Sequence, residues 1–334
     1  MSANPTMNDV AREAGVALKT VSRFVNGETN INPLLASRIA AAITVLGYRR
    51  NLAAASIRPG WTSKTLGVII GDLANPYYSV LSRAIERYAS ERGYLVISAS
   101  SDESGEKHDR LVDRLMEQRV DGLIVVPPKD AGRDWSTVPP PFPPLVFLDR
   151  PVDFDRADFI LADNSGGARS ATLELIANGA RRVAFVGDAF GIHTMRKRYD
   201  GYRAALAEQG IEVDDELVIS TAHSGEQAAL SVSELLASTD TDAIFAANNR
   251  SSVGALLAFR KAGRRVPLIG FDDFEGAMLS TPAVSVVSQD ISEMGRRAAE
   301  LVFARLEGDD SDPQTHVQPT TLVLRGSERP DLPH

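Results

Sequence analysis

Four polar residues stand where short apolar runs end. Asp72 follows Leu66-Gly67-Val68-Ile69-Ile70, and Asp149 follows Leu145-Val146-Phe147-Leu148. Asn248 closes Ala246-Ala247-Asn248-Asn249, and Asp272 opens the pair Asp272-Asp273 after Ile269-Gly270-Phe271. An ionised carboxylate accepts hydrogen bonds from vicinal hydroxyls, and an asparagine amide both donates and accepts, so the set suits a polyol. Asn75-Pro76-Tyr77-Tyr78 follows the first of these strand ends and adds aromatic faces on which a sugar ring can stack. Tyr77 and Tyr78 are adjacent, so one is expected to face a ligand and the other the core. A plainer reading stays open for Asp149 and Asn248, because residues of this kind often only cap the next helix. In Asp272-Asp273 one carboxylate can cap while the other faces a cleft.

Little else in the chain could carry catalysis. It has no cysteine, which removes disulfides, thiolate zinc sites and a cysteine nucleophile, and fits a reducing compartment. The five histidines, His108, His193, His223, His316 and His334, lie far apart in sequence, without metal-ligand spacing. Neither a phosphate loop nor a serine nucleophile elbow is present. A further class is an enzyme working through Asp72 and Asp149, which turnover of candidate sugars would reveal. The expectation is no turnover, no cofactor and no metal.

The elements that must position these residues alternate in type. From Thr65 onward, short apolar runs at 66–70, 94–99, 122–126 and 145–148 alternate with helical periodicity over 78–92 and 106–118. The segment 139–144 is a proline-rich connection. A second series begins near Ala162, with helices expected over 166–178, 196–209, 225–237 and 251–262 and strands at 182–186, 243–246 and 267–270. Such βα alternation implies parallel sheets covered on both faces, with ligands bound outside the carboxyl ends of the strands. Two series imply two similar lobes with a cleft between them, and a last helix is expected over 293–306.

The first sixty residues carry a different chemistry. Two short helical patterns are broken by Ala14-Gly15-Val16, and Val10, Ala14, Val16, Val21 and Val25 are spaced to share one apolar face. The glycine permits the sharp turn of a helix-turn-helix. Leu18, Lys19, Ser22 and Arg23 then take the outer face of the second helix, which would enter a DNA major groove. Asn32-Pro33 starts a third helix that buries Leu35, Ile39, Ala42, Ile43 and Leu46 and stops at Gly47. Residues 1–64 hold 8 Lys and Arg against 3 Asp and Glu, a net of +5, while the remainder carries −13 of the overall −8. A basic head on an acidic body attracts phosphate at one end only.

The head resembles the DNA-binding domain of the lactose-repressor (LacI/GalR) family of bacterial regulators. The matching residues are Asp9-Val10-Ala11, Ala14-Gly15-Val16, Thr20-Val21-Ser22-Arg23 and Val25-Asn26-Gly27. The resemblance implies that Leu18, Lys19 and Arg23 meet base edges, while Thr20, Ser22 and Asn26 position phosphates. It implies a hinge over 51–64 in which Asn51, Ala54, Ile57 and Arg58 contact DNA, with Ile57 wedged into the minor groove. The sequence departs from the family pattern at Ala17, which lacks the usual capping serine, at Arg50, where a proline is common, and at Ile57, where a leucine is usual. A plain linker helix remains the alternative for this segment.

For the body the resemblance implies a periplasmic-binding-protein-like fold of two doubly wound parallel-sheet subdomains. Lobe one is placed at about 65–162 and 290–320, and lobe two at about 163–289 and 321–334. The effector is expected in the cleft, held by Arg198, Asn248 and Asp272, together with Asp72, Asn75, Tyr77, Tyr78, Asp149, His223 and Gln289. The whole then reads as a head at 1–50, a hinge and an effector-binding body. It is expected to be a homodimeric repressor on a pseudo-palindromic operator, controlled by a sugar or nucleoside. The other class considered is a transport solute-binding protein, for which a signal peptide and no basic head are expected. With no signal-like or membrane-spanning apolar run, the expected location is the cytoplasm.

Overall fold

The computed structural model describes residues 5–49, 62–138 and 142–330. The chain divides into two compact units, Met1–Ser63 and Lys64–His334. The hinge residues Arg50, Asn51, Ala54, Ile57 and Arg58 lie outside the described residues.

In the first unit, α1 (Met7–Ala14) starts in a capping box. The Thr6 hydroxyl accepts from the Asp9 amide, and the Asp9 carboxylate accepts from the Thr6 amide at 2.9 Å. The helix stops at Gly15, whose φ of 59° is left-handed, so the chain turns at once into α2 (Leu18–Val25). Ala17 supplies no side-chain cap to α2. For α3 (Pro33–Leu46) the Asn32 side chain accepts from the Leu34 amide at 2.9 Å, Pro33 occupies the first turn, and Gly47 ends the helix at a φ of 62°. Val10, Ala14, Val21, Ile39 and Ala42 close a small core, with Val16, Phe24, Val25 and Leu46 packed against it.

The second unit holds two sheets. Strands β1 (Thr65–Ile70), β2 (Leu95–Ser100), β3 (Gly122–Val125), β4 (Leu145–Leu148) and β5 (Asp158–Ala162) alternate with α4 (Pro76–Ser90) and α5 (Gly105–Glu117). The chain then builds α6 (Asn164–Ala177), β6 (Val183–Val186), α7 (His193–Glu208), β7 (Val218–Ile219) and α8 (Gly225–Ser238). It continues through β8 (Ala243–Ala246), α9 (Asn249–Ala262), β9 (Leu268–Phe271) and β10 (Ser285–Gln289). Helix α10 (Ile291–Leu306) and strands β11 (Thr315–Gln318) and β12 (Thr320–Val323) complete it.

The first sheet has the order β11-β5-β4-β3-β1-β2, with every neighbouring pair parallel. The second has the order β12-β10-β9-β8-β6-β7 and is parallel except for β12, which runs antiparallel to β10. The expectation of parallel sheets is corrected at that edge. The chain passes from β11 to β12 through Pro319 alone, and in doing so moves from one sheet to the other. Five strands, β5, β7, β10, β11 and β12, were not resolved by periodicity, because each is short or half polar.

Both faces of each sheet are covered, the arrangement that parallel strands require. Leu66, Val68 and Ile70 pack under α4 and α10 with Leu81, Ile85 and Val302, while Leu123, Val125 and Phe147 meet Val112 and Trp135 on the opposite face. In the second sheet Phe185, Phe245 and Phe271 face Tyr202, while Ile244, Leu268 and Val286 face Leu235. Helix α10 approaches α4 so closely that a Cβ on Gly295 would stand 2.6 Å from the Leu81 carbonyl oxygen, so only glycine fits there. No helix among the described residues is long and apolar enough to cross a membrane.

Candidate ligand cavity and nucleic-acid face

A cavity of ≈ 420 Å³ lies at the carboxyl ends of the strands of both sheets. Its walls take Asp72 after β1, Glu103 after β2 and Asp149-Arg150 after β4 from the first lobe, and Asp188 after β6, Asn248 after β8 and Asp272 after β9 from the second.

Asp149 and Asp272 occupy equivalent places in the two lobes. Each lies one residue past its strand with a left-handed backbone, φ 70° and 68°. Each amide donates to the neighbouring strand, Asp149 to Ile160 at 2.8 Å and Asp272 to Val287 at 2.9 Å. A non-glycine residue at positive φ is strained, and here the strain turns a carboxylate from the sheet edge into the cavity. Both side chains are buried. Burial raises the Asp149 carboxyl above its ordinary range, opposed by the nearby Arg150 and Arg198 and reinforced by Asp272.

Around Asp272 the second lobe forms a tight network. Arg198 donates to Asn164 Oδ1 at 2.8 Å, to the Ala247 carbonyl at 2.7 Å and to Asp272 at 3.1 Å, and its guanidinium lies 3.7 Å from the Phe271 ring centroid. Gln289 Nε2 donates to Asp272 at 2.6 Å. Gln289 was expected in the cleft, and this is corrected: it stands behind Asp272 and does not line the cavity. Asp273 accepts only from the next amide, that of Phe274 at 2.9 Å, and supplies no side-chain cap to the turn over Glu275–Leu279. Its carboxylate pairs with Arg325 at 2.5 Å, which corrects the expectation of a helix cap beside the cleft.

In the first lobe the Tyr77 hydroxyl donates to Asp149 at 3.2 Å, and the Tyr78 hydroxyl lies 3.4 Å from Arg150. The two rings meet edge to face with centroids 5.1 Å apart, and both hydroxyls reach the cavity wall. The expectation that one tyrosine would be only core is therefore corrected. Both rings stand in the first turn of α4 and join the core beneath it, while their hydroxyls reach Asp149 and Arg150 at the cavity. Burial pushes both phenols well above their usual range, so they are neutral donors.

Helix starts bring the remaining groups. Asn75 caps α4, accepting from the Tyr77 amide at 3.1 Å, and Asn248 caps α9, accepting from the Ser251 amide at 2.8 Å. Both also line the cavity, so capping and ligand-facing roles coexist. Asp72 pairs with Arg250, and Asn249 donates to Asn75 Oδ1 at 2.9 Å, so two polar contacts run directly from lobe to lobe. His223 Nδ1 is paired with Asp188.

Sequence reasoning missed Arg150, Glu103, Asp188 and Arg250. Arg150 donates to both Glu103 oxygens, at 2.6 and 2.8 Å, and to the Pro127 carbonyl at 2.9 Å. The available signal was that every one of these residues lies within four positions of a strand end.

On the head, Leu18 is 45% exposed, which places it on the surface, and Lys19 and Asn26 are exposed as well. Thr20, Ser22 and Arg23 are half-buried. Arg23 is engaged inside the head, pairing with Glu28 at 2.6 Å and donating to the Asn30 carbonyl at 2.8 Å.

Residues 6–51 match the family model for bacterial regulatory proteins of the lacI family, and residues 172–328 match a periplasmic binding protein-like domain. The chain is 33% identical over 340 residues to the HTH-type transcriptional regulator CelR of Thermobifida fusca, covering 97% of this chain and 98% of that protein. It is 30% identical to the ribose operon repressor of Escherichia coli K12, covering 96% of this chain and 99% of the repressor. Among solved structures, the transcriptional regulator CelR–cellobiose complex superposes with a TM-score of 0.71 at 31% identity, over 97% of this chain and 99% of that one.

Proposed function

The chain belongs to the lacI family of bacterial regulatory proteins and is a DNA-binding transcriptional regulator, not an enzyme; from that premise we propose how it works. It acts as a cytoplasmic repressor that binds a pseudo-palindromic operator as a homodimer and answers to a sugar in the cavity between its lobes. The observation that carries this reading is the cavity itself, walled from both lobes by strand-end carboxylates, amides and arginines of the kind that hold hydroxyl groups. The CelR relative with bound cellobiose and the ribose operon repressor support a sugar over other polar ligands.

Leu18 and Lys19 present the base-reading surface, with Arg23 joining it when its pairing with Glu28 opens, and Thr20, Ser22 and Asn26 hold phosphates. Asp149, Asp272, Arg198 and Asn248 grip the ligand, with Tyr77, Tyr78, Asp72, Asn75 and His223 around them, and Gln289 fixes Asp272 from behind. A ligand touching both lobes changes how firmly they close, and operator affinity follows through a coupling free energy, about 1–3 kcal/mol in typical cases. Exposed apolar side chains support the dimer: Leu95 and Ile97 on the edge strand β2, and Leu230, Val253 and Leu257 on the packed helices α8 and α9. Two heads then read two half-sites related by the dimer axis.

The test is selection of genomic fragments by the purified protein at about 0.15 M salt, where phosphate-only binding is weakened. Enrichment of a pseudo-palindrome, released or tightened by one sugar, is the expected outcome. Binding that is blind to sequence with and without sugars would sink the reading.

A further inference from the structure

We infer that the cavity selects an uncharged polyhydroxylated effector and rejects phosphorylated or carboxylated versions of it. The inference rests on the sugar reading of the cavity and goes beyond it by assigning the ligand's charge.

A phosphate or carboxylate is held best by a guanidinium fork with free N–H donors. Three arginines line this cavity, and in each both terminal nitrogens already donate to groups of the protein, while Arg150 Nε lies 3.5 Å from Asp149 without a hydrogen bond. Arg150 gives both terminal nitrogens to Glu103 and one of them also to the Pro127 carbonyl. Arg198 is divided among Asn164, Ala247 and Asp272. Arg250 bridges the lobes to Asp72 and donates to the His223 carbonyl at 3.3 Å. An anion that took any of these forks would strand a partly or fully buried carboxylate.

The remaining lining cation, Lys129, has no ion partner among the described residues, yet it is exposed at the rim and offers a single mobile charge. Against these four cations stand Asp72, Asp102, Glu103, Asp149, Asp188 and Asp272, a formal balance of −2 across the wall, or −1 when Lys107, paired with Asp102 at 2.5 Å, is included. The start of α7, where Ile192 supplies no side-chain cap, also favours an anion. Its charge, about half a unit, does not reverse that balance. Hydroxyl groups meet the opposite situation. Carboxylates that already hold one arginine keep lone pairs for further donors, and the neutral phenols of Tyr77 and Tyr78, the amide of Asn248 and the hydroxyl of Thr194 complete a wall that serves O–H groups in both directions.

Titration calorimetry on the full chain would test this with matched pairs. The probes are neutral pentoses, hexoses, disaccharides and nucleosides, each beside its phosphate monoester, together with glucuronate and galacturonate. The expected result is a neutral ligand whose phosphate or uronate counterpart binds at least about 30-fold more weakly, the scale of one unit of like charge met at close range in a partly screened site. A phosphate or uronate binding as tightly as its neutral parent would overturn the charge assignment and leave the sugar reading standing. Silence from every sugar and nucleoside, in a protein that still binds its operator, would remove the sugar reading and this inference with it.

Discussion

At the scale of single residues, the site depends on a few side chains whose surroundings leave little freedom. Asp272 is held by Arg198 and Gln289 and turned inward by a left-handed backbone. Asp272→Ala should abolish the ligand response while operator binding persists, as followed by fluorescence anisotropy on labelled operator; a retained response would move the site elsewhere. In the head, Ala17 leaves the start of α2 uncapped. Ala17→Ser should stabilise the head by about 1 kcal/mol, seen as a higher melting midpoint in far-UV circular dichroism. His108 is buried against Trp135 with Nδ1 near Asp109, and among the described residues Nε2 has no hydrogen-bond partner. Burial lowers its pKa below the usual 6.5, with Asp109 opposing and Arg133 assisting. Above that value the ring is neutral whether folded or unfolded. As the pH falls below it the unfolded chain takes up the proton first, so stability drops through that window. Urea midpoints at pH 7 and pH 5.5 should fall less between the two for His108→Gln than for the parent chain, and equal falls would exclude His108 as a source of acid sensitivity.

At the scale of elements, the starts of α4 and α9 do two jobs. Their caps, Asn75 and Asn248, line the cavity, and the residues next to them tie one lobe to the other through Asp72–Arg250 and Asn75–Asn249. The ion pair is about one-third exposed, so its contribution is of the order of 0.5–1 kcal/mol after solvent screening. Arg250→Ala should therefore loosen the unliganded closed form by roughly two- to fivefold in population. The check is small-angle scattering, in which the variant should have a larger radius of gyration that sugar reverses. No change in radius would show that closure does not depend on this contact.

At the scale of the whole molecule, the proposed regulation needs two copies. Exposed apolar side chains stand on the edge strand β2 and on the packed helices α8 and α9. Replacing Leu230 and Leu257 together by Glu should give a folded monomer by sedimentation that has lost most of its operator affinity, since one head then reads one half-site. A double variant that remained dimeric would relocate the interface.

Much of this was written locally. Capping residues, turn glycines and hydrophobic periods act over a few neighbours, so Gly15, Asn32, Gly47 and the βα alternation could be read directly, as could the polar residues that end apolar strands. The resemblance of the head rested on contiguous residues for the same reason. What required the folded chain was pairing across long separations. Glu103 meets Arg150 across 47 positions, and Asp72 meets Arg250 across 178. No local pattern encodes such partners, because they are chosen by sheet order and lobe closure. The tertiary structure also decided that both Tyr77 and Tyr78 reach the wall, that Gln289 stands behind Asp272, and that β12 runs antiparallel at its sheet edge. Side-chain direction at a helix start and strand direction at an edge depend on what packs against them, and the packing exists only once both lobes have formed.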